Sequence, residues 1–114
     1  MSFAYLASNY SHPDPAIRHQ RFIAACRAAA HLMERGIPVF APICHSHPIA
    51  EVMNGRHLDH EFWLAQDLPI LAQATTLIVL QLDGWRESRG VAREIEFARD
   101  NGIPVEYTEP SDIR

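Results

Sequence analysis

Residues 76–82 read TLIVLQL, the most apolar strand-like stretch of the chain, and this stretch decides the fold. Its aliphatic residues follow one another with little polar alternation, which is typical of a central strand buried on both faces of a parallel sheet. Residues 3–7, 37–41 and 103–107 are shorter apolar runs beside turn-forming residues, and they predict three further strands.

Two predicted helices have clear start signals. Asp14 followed by Pro15 is typical of a helix N-terminus, and the helix after it extends to about residue 35. Ser88 is the predicted N-cap of the last helix, which ends at residues 101–102.

The middle of the chain has weaker signals. Residues 57–67 have a helical pattern, and Pro69 is expected either to kink this helix or to start a new one. Residues 42–56 are predicted to be irregular, with one helical turn near residues 49–53. Residues 83–87 are predicted to form a loop.

Strands and helices alternate, which predicts a single domain over residues 1–114. We expect a three-layer α/β fold with a doubly wound parallel sheet of the flavodoxin-like type. Right-handed crossovers give the strand order 2-1-3-4 and leave room for an extra edge strand. Ligands of such sheets bind at the carboxyl ends of the strands, where the order reverses. The predicted site therefore lies in residues 8–14 and 83–88, with residues 42–47 near by.

Composition excludes several classes of function. The chain has 114 residues and a formal net charge of −4, and all ten of its Lys+Arg residues are arginines. Without lysine it can have neither a Walker-type phosphate loop nor Schiff-base chemistry. Scattered arginines in an acidic chain make a poor surface for a nucleic acid polymer, so we expect no such partner. One or two arginines can still hold a small anionic ligand.

The expected location is the cytoplasm. No apolar run reaches the ~18 residues of a membrane span, so we expect no membrane partner. Residues 1–5 lack the basic start and apolar stretch of a signal peptide. Cys26 and Cys44 are too few for a disulfide framework, and we expect reduced thiols.

The last predicted helix carries a carboxylate on its apolar side. On a helical wheel of about 100° per residue, Glu94 falls between Phe97 and Ala98, inside the apolar arc that includes Val91. An unpaired buried charge is costly, so a carboxylate at this position points to a functional group. The alternative is a glutamate that the helix dipole favours and that points along the rim.

The start of the same helix could hold an anion. Ser88, Arg89 and Gly90 combine a hydroxyl, free backbone amides and a residue without a side chain. The alternative is that Ser88 is only an N-cap. Asp67 is a further candidate, because it could face the same crevice; alternatively it caps a segment that begins near Pro69.

Aromatic residues and histidines supply further candidate contacts. Tyr5, Tyr10 and Trp85 could contact a base or a hydroxyl, although core packing is the alternative for Tyr5 in its strand. A tryptophan in a predicted loop favours a binding contact. His45 and His47, just after the second strand, could help to neutralise a phosphate.

A metal site is the remaining possibility on the histidines. Cys44, His45, His47, His57 and His60 are close in sequence, but their spacing matches no structural zinc pattern. We expect no metal, with a metal-dependent hydrolase as the alternative. A nucleophile built from Cys44 and a histidine also stays open, although no third orienting group is identifiable.

Several short motifs, in this order and spacing, resemble the nucleoside 2-deoxyribosyltransferase superfamily. The motifs are Tyr5-Leu6-Ala7-Ser8, Gln66-Asp67-Leu68, Ser88-x-Gly90-Val91-x-x-Glu94 and Gly102-Ile103-Pro104-Val105. The Ser-x-Gly-Val-x-x-Glu signature is similar to that of the 2′-deoxynucleoside 5′-phosphate N-hydrolases. A group of short bacterial and phage proteins resembles other stretches: Tyr10-Ser11-His12-Pro13, Ser46-His47-Pro48-Ile49 and Leu82-Asp83-Gly84-Trp85.

The resemblance implies a role for each matching residue. Glu94 would be the nucleophile that attacks C1′ of deoxyribose, and Asp67 would position the sugar and help proton transfer to or from the base. Ser88 and the amides after it would hold a 5′-phosphate, with Tyr5 and Ser8 as further substrate contacts. Relatives complete their sites across subunits, which implies a homodimer or a higher homo-oligomer, and no cofactor is expected.

The expected function is hydrolysis or transfer of the N-glycosidic bond of a (deoxy)nucleoside 5′-monophosphate through a carboxylate nucleophile. The expected partner is therefore a small nucleotide or nucleoside. The alternative is a non-catalytic module that uses the same crevice to bind a nucleotide or another phosphorylated metabolite.

Overall fold

The computed structural model describes residues 2–53 and 59–113. The main elements are β1 (Ala4–Ser8), α1 (Pro15–Glu34), β2 (Val39–Phe40), α2 (Pro42–Val52), α3 (His60–Leu71), β3 (Thr76–Leu80), α4 (Arg89–Asp100) and β4 (Val105–Thr108). Two short 3₁₀ helices span Trp85–Glu87 and Pro110–Asp112. No helix in the described residues is both long and apolar enough to cross a lipid bilayer.

The strands form one parallel sheet in the order β2-β1-β3-β4. β1 and β3 pair along their whole length, from Ala4 opposite Thr76 to Ser8 opposite Leu80. The protein therefore has the predicted α/β fold with strand order 2-1-3-4 and helices flanking the sheet, consistent with a flavodoxin-like three-layer architecture. No fifth strand joins this sheet within residues 2–53 and 59–113.

Alternate side chains of the two central strands enter different cores. Leu6 and Ile78 pack with Ala28 of α1 on one face of the sheet. Tyr5 and Val79 belong to the core on the other face, which α3 and α4 cover. This alternation, which follows from the period of two in a strand, places the Tyr5 side chain on the same side as α4.

Both predicted helix caps are confirmed. The Asp14 side chain accepts a hydrogen bond of 2.9 Å from the amide of Ala16. The Ser88 hydroxyl accepts one of 3.2 Å from the amide of Val91. A cap needs only residues close in sequence, so these helix starts could be predicted without knowledge of the tertiary structure.

Two prolines explain why the prediction for the middle of the chain is wrong. Residues 42–52 are helical rather than irregular, because α2 begins at Pro42 and continues through Pro48. α3 likewise continues through Pro69, so Pro69 does not start a new helix. Each internal proline removes one backbone hydrogen bond, but buried side chains such as Leu64 in α3 stabilise the helices from another face.

Smaller differences concern the ends of elements. β2 is shorter than predicted, and β4 begins two residues later, at Val105. Residues 85–87 form a 3₁₀ turn after Gly84, whose φ of 85° favours glycine, where a loop was predicted. The predicted helix start at residue 57 lies outside the described residues.

Candidate active site

A cavity of about 480 Å³ opens at the carboxyl ends of β1 and β3, where the strand order reverses. Its wall combines the residues after β1, the first turns of α2, the middle of α3 and the start of α4. The residues predicted from the sequence to act on or contact the substrate that line it are Ser8, Tyr10, Asp67, Ser88, Arg89, Gly90 and Glu94. Candidate residues far apart in the chain therefore meet at one edge of the sheet.

Glu94 lies in the wall of the cavity and is only 6% exposed. Its position on the buried side of α4 agrees with the helical wheel, and the alternative of a rim-pointing side chain is wrong. The hydroxyl of Tyr5 donates a short hydrogen bond to Glu94 Oε2. Tyr5 itself is fully buried in β1 and does not line the cavity, so the predicted substrate contact is wrong: Tyr5 belongs to the core and contacts the candidate nucleophile.

Burial dominates the electrostatics of this carboxyl group. Loss of solvent raises the pKa of Glu94 from its ordinary value of 4.5 to about 8. The hydrogen bond from Tyr5 opposes this change, whereas the nearby charge of Asp67 adds to it. Burial also raises the pKa of the Tyr5 hydroxyl, with the charge of Glu94 adding to the effect, so Tyr5 remains a proton donor.

Asp67 faces the same cavity from α3. It lies inside a continuous helix, so the alternative that it caps a new segment at Pro69 is wrong. Partial burial raises the pKa of Asp67 from 3.8 to about 6. The site therefore holds two carboxyl groups that titrate near neutral pH, and Asp67 ionises before Glu94.

The first turn of α4 forms another part of the wall. Because Ser88 caps the amide of Val91, the amides of Arg89 and Gly90 are the helix-end donors that remain for a ligand. A Cβ built on Gly90 would lie 3.6 Å from His60 Cε1, which is ordinary van der Waals contact. His60 also lines the cavity; the sequence interpretation considered it only as a metal ligand.

Two buried polar atoms in the wall have no partner within the described residues. These are Ser8 Oγ and Asn9 Oδ1, in residues only 6% and 3% exposed. Asn9 Nδ2 donates to the Asp83 carbonyl at 2.8 Å, which leaves Oδ1 as an acceptor. Buried polar atoms are normally paired, so both are suited to a ligand with hydrogen-bond donors.

Arg21 brings a positive charge to this wall. Its guanidinium donates to the carbonyl oxygens of Ser11 at 2.8 Å and Asp83 at 3.4 Å. These partners are uncharged, so they fix the side chain without neutralising it. The sequence interpretation did not single out Asn9 or Arg21; only the position of Asn9 directly after β1 was a signal.

Three predicted contact residues lie elsewhere. Trp85 packs beside Tyr107, with ring centroids 5.6 Å apart, and belongs to the partly buried margin of the core. His45 is exposed and lies near the Phe40 ring. His47 is buried behind Tyr10 and does not line this cavity. The aromatic side chains that do line the cavity are Tyr10 and Trp63.

The described residues do not support the cysteine nucleophile or the metal site that the sequence left open. Cys44 Sγ lies 3.1 Å from Cys26 Sγ, and both thiols are free. Burial, together with the neighbouring Cys26, raises the pKa of Cys44 to about 12, which disfavours the thiolate that a nucleophile needs. No group of three potential ligands is assembled in residues 2–53 and 59–113; His57 lies outside them.

Fold and site together define a class: a doubly wound α/β protein with a cavity at the switch point of its sheet, lined by the buried Glu94, the partly buried Asp67 and the exposed Glu87. Residues 2–109 match the model of the family described as Domain of unknown function (DUF1937), and the chain belongs to that family. A search of curated proteins found no match.

Proposed function

We propose that this protein hydrolyses or transfers the N-glycosidic bond of a (deoxy)nucleoside 5′-monophosphate, with Glu94 as the nucleophile. One observation carries the proposal: two carboxyl groups, Glu94 and Asp67, face one cavity that the N-terminus of α4 also lines. A pair of carboxyl groups suits glycosyl transfer, because the sugar becomes positively charged in the transition state.

The steps follow from the arrangement of the carboxyl groups. Because Glu94 Oε2 accepts from Tyr5, Oε1 is the oxygen available to attack C1′. The C1′–N bond breaks, its electron pair leaves with the base, and a glycosyl ester forms on Glu94. Water or a second base then releases the sugar and restores the carboxylate. Ionised Asp67 positions the sugar and stabilises its developing positive charge.

The phosphate would lie at the start of α4. The free amides of Arg89 and Gly90 favour an anion there, and Arg21 adds a positive charge to the wall of the same cavity. Gly90 leaves room for close approach to the backbone, since no side chain covers it. The resemblance to the 2′-deoxynucleoside 5′-phosphate N-hydrolases supports the same position, because it rests on the motif that contains Ser88, Gly90 and Glu94.

The proposal includes a cytoplasmic location and a homo-oligomer. Large apolar side chains remain exposed on the single chain, among them Met33 at 57% and Val52 at 78%. A second copy of the chain could cover such positions. Light scattering of the purified protein would give the mass of the assembly, and a strictly monomeric protein would contradict this part of the proposal.

Base release tests the function directly. The purified protein is incubated with each common nucleoside 5′-monophosphate, ribo and deoxy, and with the nucleosides, and free base is measured by liquid chromatography. We expect release from at least one monophosphate and none from its Glu94→Gln variant. Glu96→Gln, on the exposed side of the same helix, is the matched control and should be fully active. The proposal is wrong if no substrate yields free base.

A binding module is the second candidate, favoured by one observation. The raised pKa of Glu94 leaves most of this group protonated at pH 7, and a neutral carboxyl can donate a hydrogen bond to a ligand instead of attacking it. This candidate predicts that nucleotides raise the unfolding temperature without turnover and that Glu94→Gln keeps its affinity for them.

A further inference from the structure

A second cavity of about 740 Å³ adjoins the first. The two share Tyr10, Ser11, Ala50 and Trp63 as lining residues. Tyr10 therefore lies at the boundary between the two cavities. On the proposed function, the sugar lies at the carboxyl groups and the base extends toward this junction.

Three side chains at the junction form a hydrogen-bonded chain. The Tyr10 hydroxyl oxygen lies 2.6 Å from His47 Nδ1. His47 Nε2 lies 2.6 Å from Glu51 Oε1, one helical turn further along α2. This hydrogen-bonded series leads from the cavities to solvent, because Tyr10 lines both cavities whereas the Glu51 side chain is 68% exposed to solvent.

The central imidazole is held in place on several sides. His47 is only 7% exposed and stacks on the Phe22 ring, with centroids 4.1 Å apart and planes inclined by 21°. The Tyr10 ring meets the His47 ring edge-on, with centroids 5.5 Å apart, and the His19 ring centroid lies 6.0 Å from that of His47. A buried imidazole with both nitrogens engaged keeps one orientation, as a proton carrier requires.

The reaction needs a proton donor that the carboxyl pair does not provide. A departing base needs a proton on a ring nitrogen, while Glu94 must be ionised to attack. Burial raises the pKa of Asp67 to about 6 and that of Glu94 to about 8. Asp67 has therefore lost its proton by the pH at which Glu94 ionises.

We propose that Tyr10, His47 and Glu51 form a proton relay that protonates the leaving base, which makes Tyr10 a further catalytic residue. This inference rests on the proposed function. When His47 carries protons on both nitrogens, Nδ1 donates to the Tyr10 oxygen and Nε2 donates to the Glu51 carboxylate. The Tyr10 proton is then free to point into the cavity.

Proton transfer balances along this chain. The Tyr10 hydroxyl proton moves to the ring nitrogen of the base as the C1′–N electron pair departs. The Nδ1 proton of His47 moves to the Tyr10 oxygen, which leaves a neutral imidazole hydrogen-bonded to Glu51. After the base has left, water in the cavity gives a proton to the Tyr10 oxygen while the hydroxyl proton moves to His47 Nδ1, which restores the doubly protonated imidazole beside the Glu51 carboxylate. No group outside the chain, the substrate and water takes part.

Dependence on the leaving group tests the relay. One substrate is a purine monophosphate that the wild type cleaves; the other is its N7-methylated form, whose cationic base leaves without protonation. In Tyr10→Phe, which keeps the ring and removes the hydroxyl, we expect kcat for the ordinary substrate to fall about 100-fold. Its kcat for the methylated substrate should stay within about threefold of the wild type, since no general acid is needed there.

Further variants make the outcome decisive. Glu51→Gln should show the same selective loss to a smaller degree and supplies the test if Tyr10→Phe does not fold. Asp67→Asn should lose activity on both substrates, because it acts on the sugar. Equal loss on both substrates in Tyr10→Phe, or no loss, overturns the relay while leaving the proposed function intact. A wild type that releases base from no nucleoside 5′-monophosphate and no nucleoside overturns both.

Discussion

Replacing Glu94 with glutamine should stabilise the protein while removing its activity. Glutamine has nearly the same shape and keeps an oxygen that can accept the hydrogen bond from Tyr5. Glutamine has no ionisable group, whereas burial disfavours the charged form of the Glu94 carboxyl group. A buried functional carboxyl group of this kind lowers the free energy of unfolding, and its neutral isostere restores that free energy.

The magnitude follows from proton linkage. Burial raises the pKa of Glu94 from 4.5 to about 8, so between these values the native state binds a proton that the unfolded state has lost. As far as Glu94 is concerned, the free energy of unfolding has its full value below pH 4.5. It then falls by about 1.4 kcal/mol per pH unit as the pH rises toward 8. The loss reaches about 3 kcal/mol at pH 7, which corresponds to roughly 10 °C in unfolding temperature for a domain of this size.

Urea unfolding at several pH values measures this effect. Wild type and Glu94→Gln should have similar free energies of unfolding at pH 4.5, and the variant should be more stable by about 3 kcal/mol at pH 7. Glu96→Gln changes an exposed glutamate 3.5 Å from Arg93, and it should stay within about 0.5 kcal/mol of the wild type throughout. A constant difference between Glu94→Gln and wild type at every pH would refute the reasoning.

Three further predictions address activity, the phosphate position and the thiols. Base release needs ionised Glu94, so kcat/KM should fall about tenfold for each pH unit below 8; a flat profile down to pH 6 would contradict this. Gly90→Ala should fold normally, since the added Cβ meets His60 at an ordinary 3.6 Å, yet it should raise KM for monophosphates more than for nucleosides; equal changes would place the phosphate elsewhere. The Cys26 and Cys44 sulfurs, 3.1 Å apart, should join when glutathione disulfide oxidises them, but slowly, because burial disfavours the Cys44 thiolate that this exchange needs. Peptide mass mapping without reductant would detect the link, and its absence after prolonged oxidation would count against that proximity.

Features with a local physical cause could be predicted from the sequence. The 3.6-residue period places Glu94 on the buried side of α4, because a helical wheel depends on nothing outside the helix. The caps at Asp14 and Ser88 each need a partner only two or three residues away. The strand order follows from general rules of crossover handedness applied to alternating elements.

Features that depend on tertiary packing were missed. Trp85 is in the segment predicted to be a loop, but it packs beside Tyr107 of β4, a neighbour that no local pattern indicates. His47 and Glu51 are four residues apart on α2, which its internal Pro48 made difficult to predict from the sequence. With α2 predicted as irregular, the spacing of these two residues carried no structural meaning, and the contact of His47 with Tyr10 could not be inferred.

The most direct test of the central claim is to identify the residue that carries the sugar. The wild type is incubated with a cleaved deoxynucleoside monophosphate or its slower 2′-fluoro analogue, quenched in acid, digested and analysed by mass spectrometry. We predict a sugar phosphate attached to Glu94, and no attachment in Glu94→Gln. An attachment at any other residue, or unchanged base release by Glu94→Gln, would contradict the account.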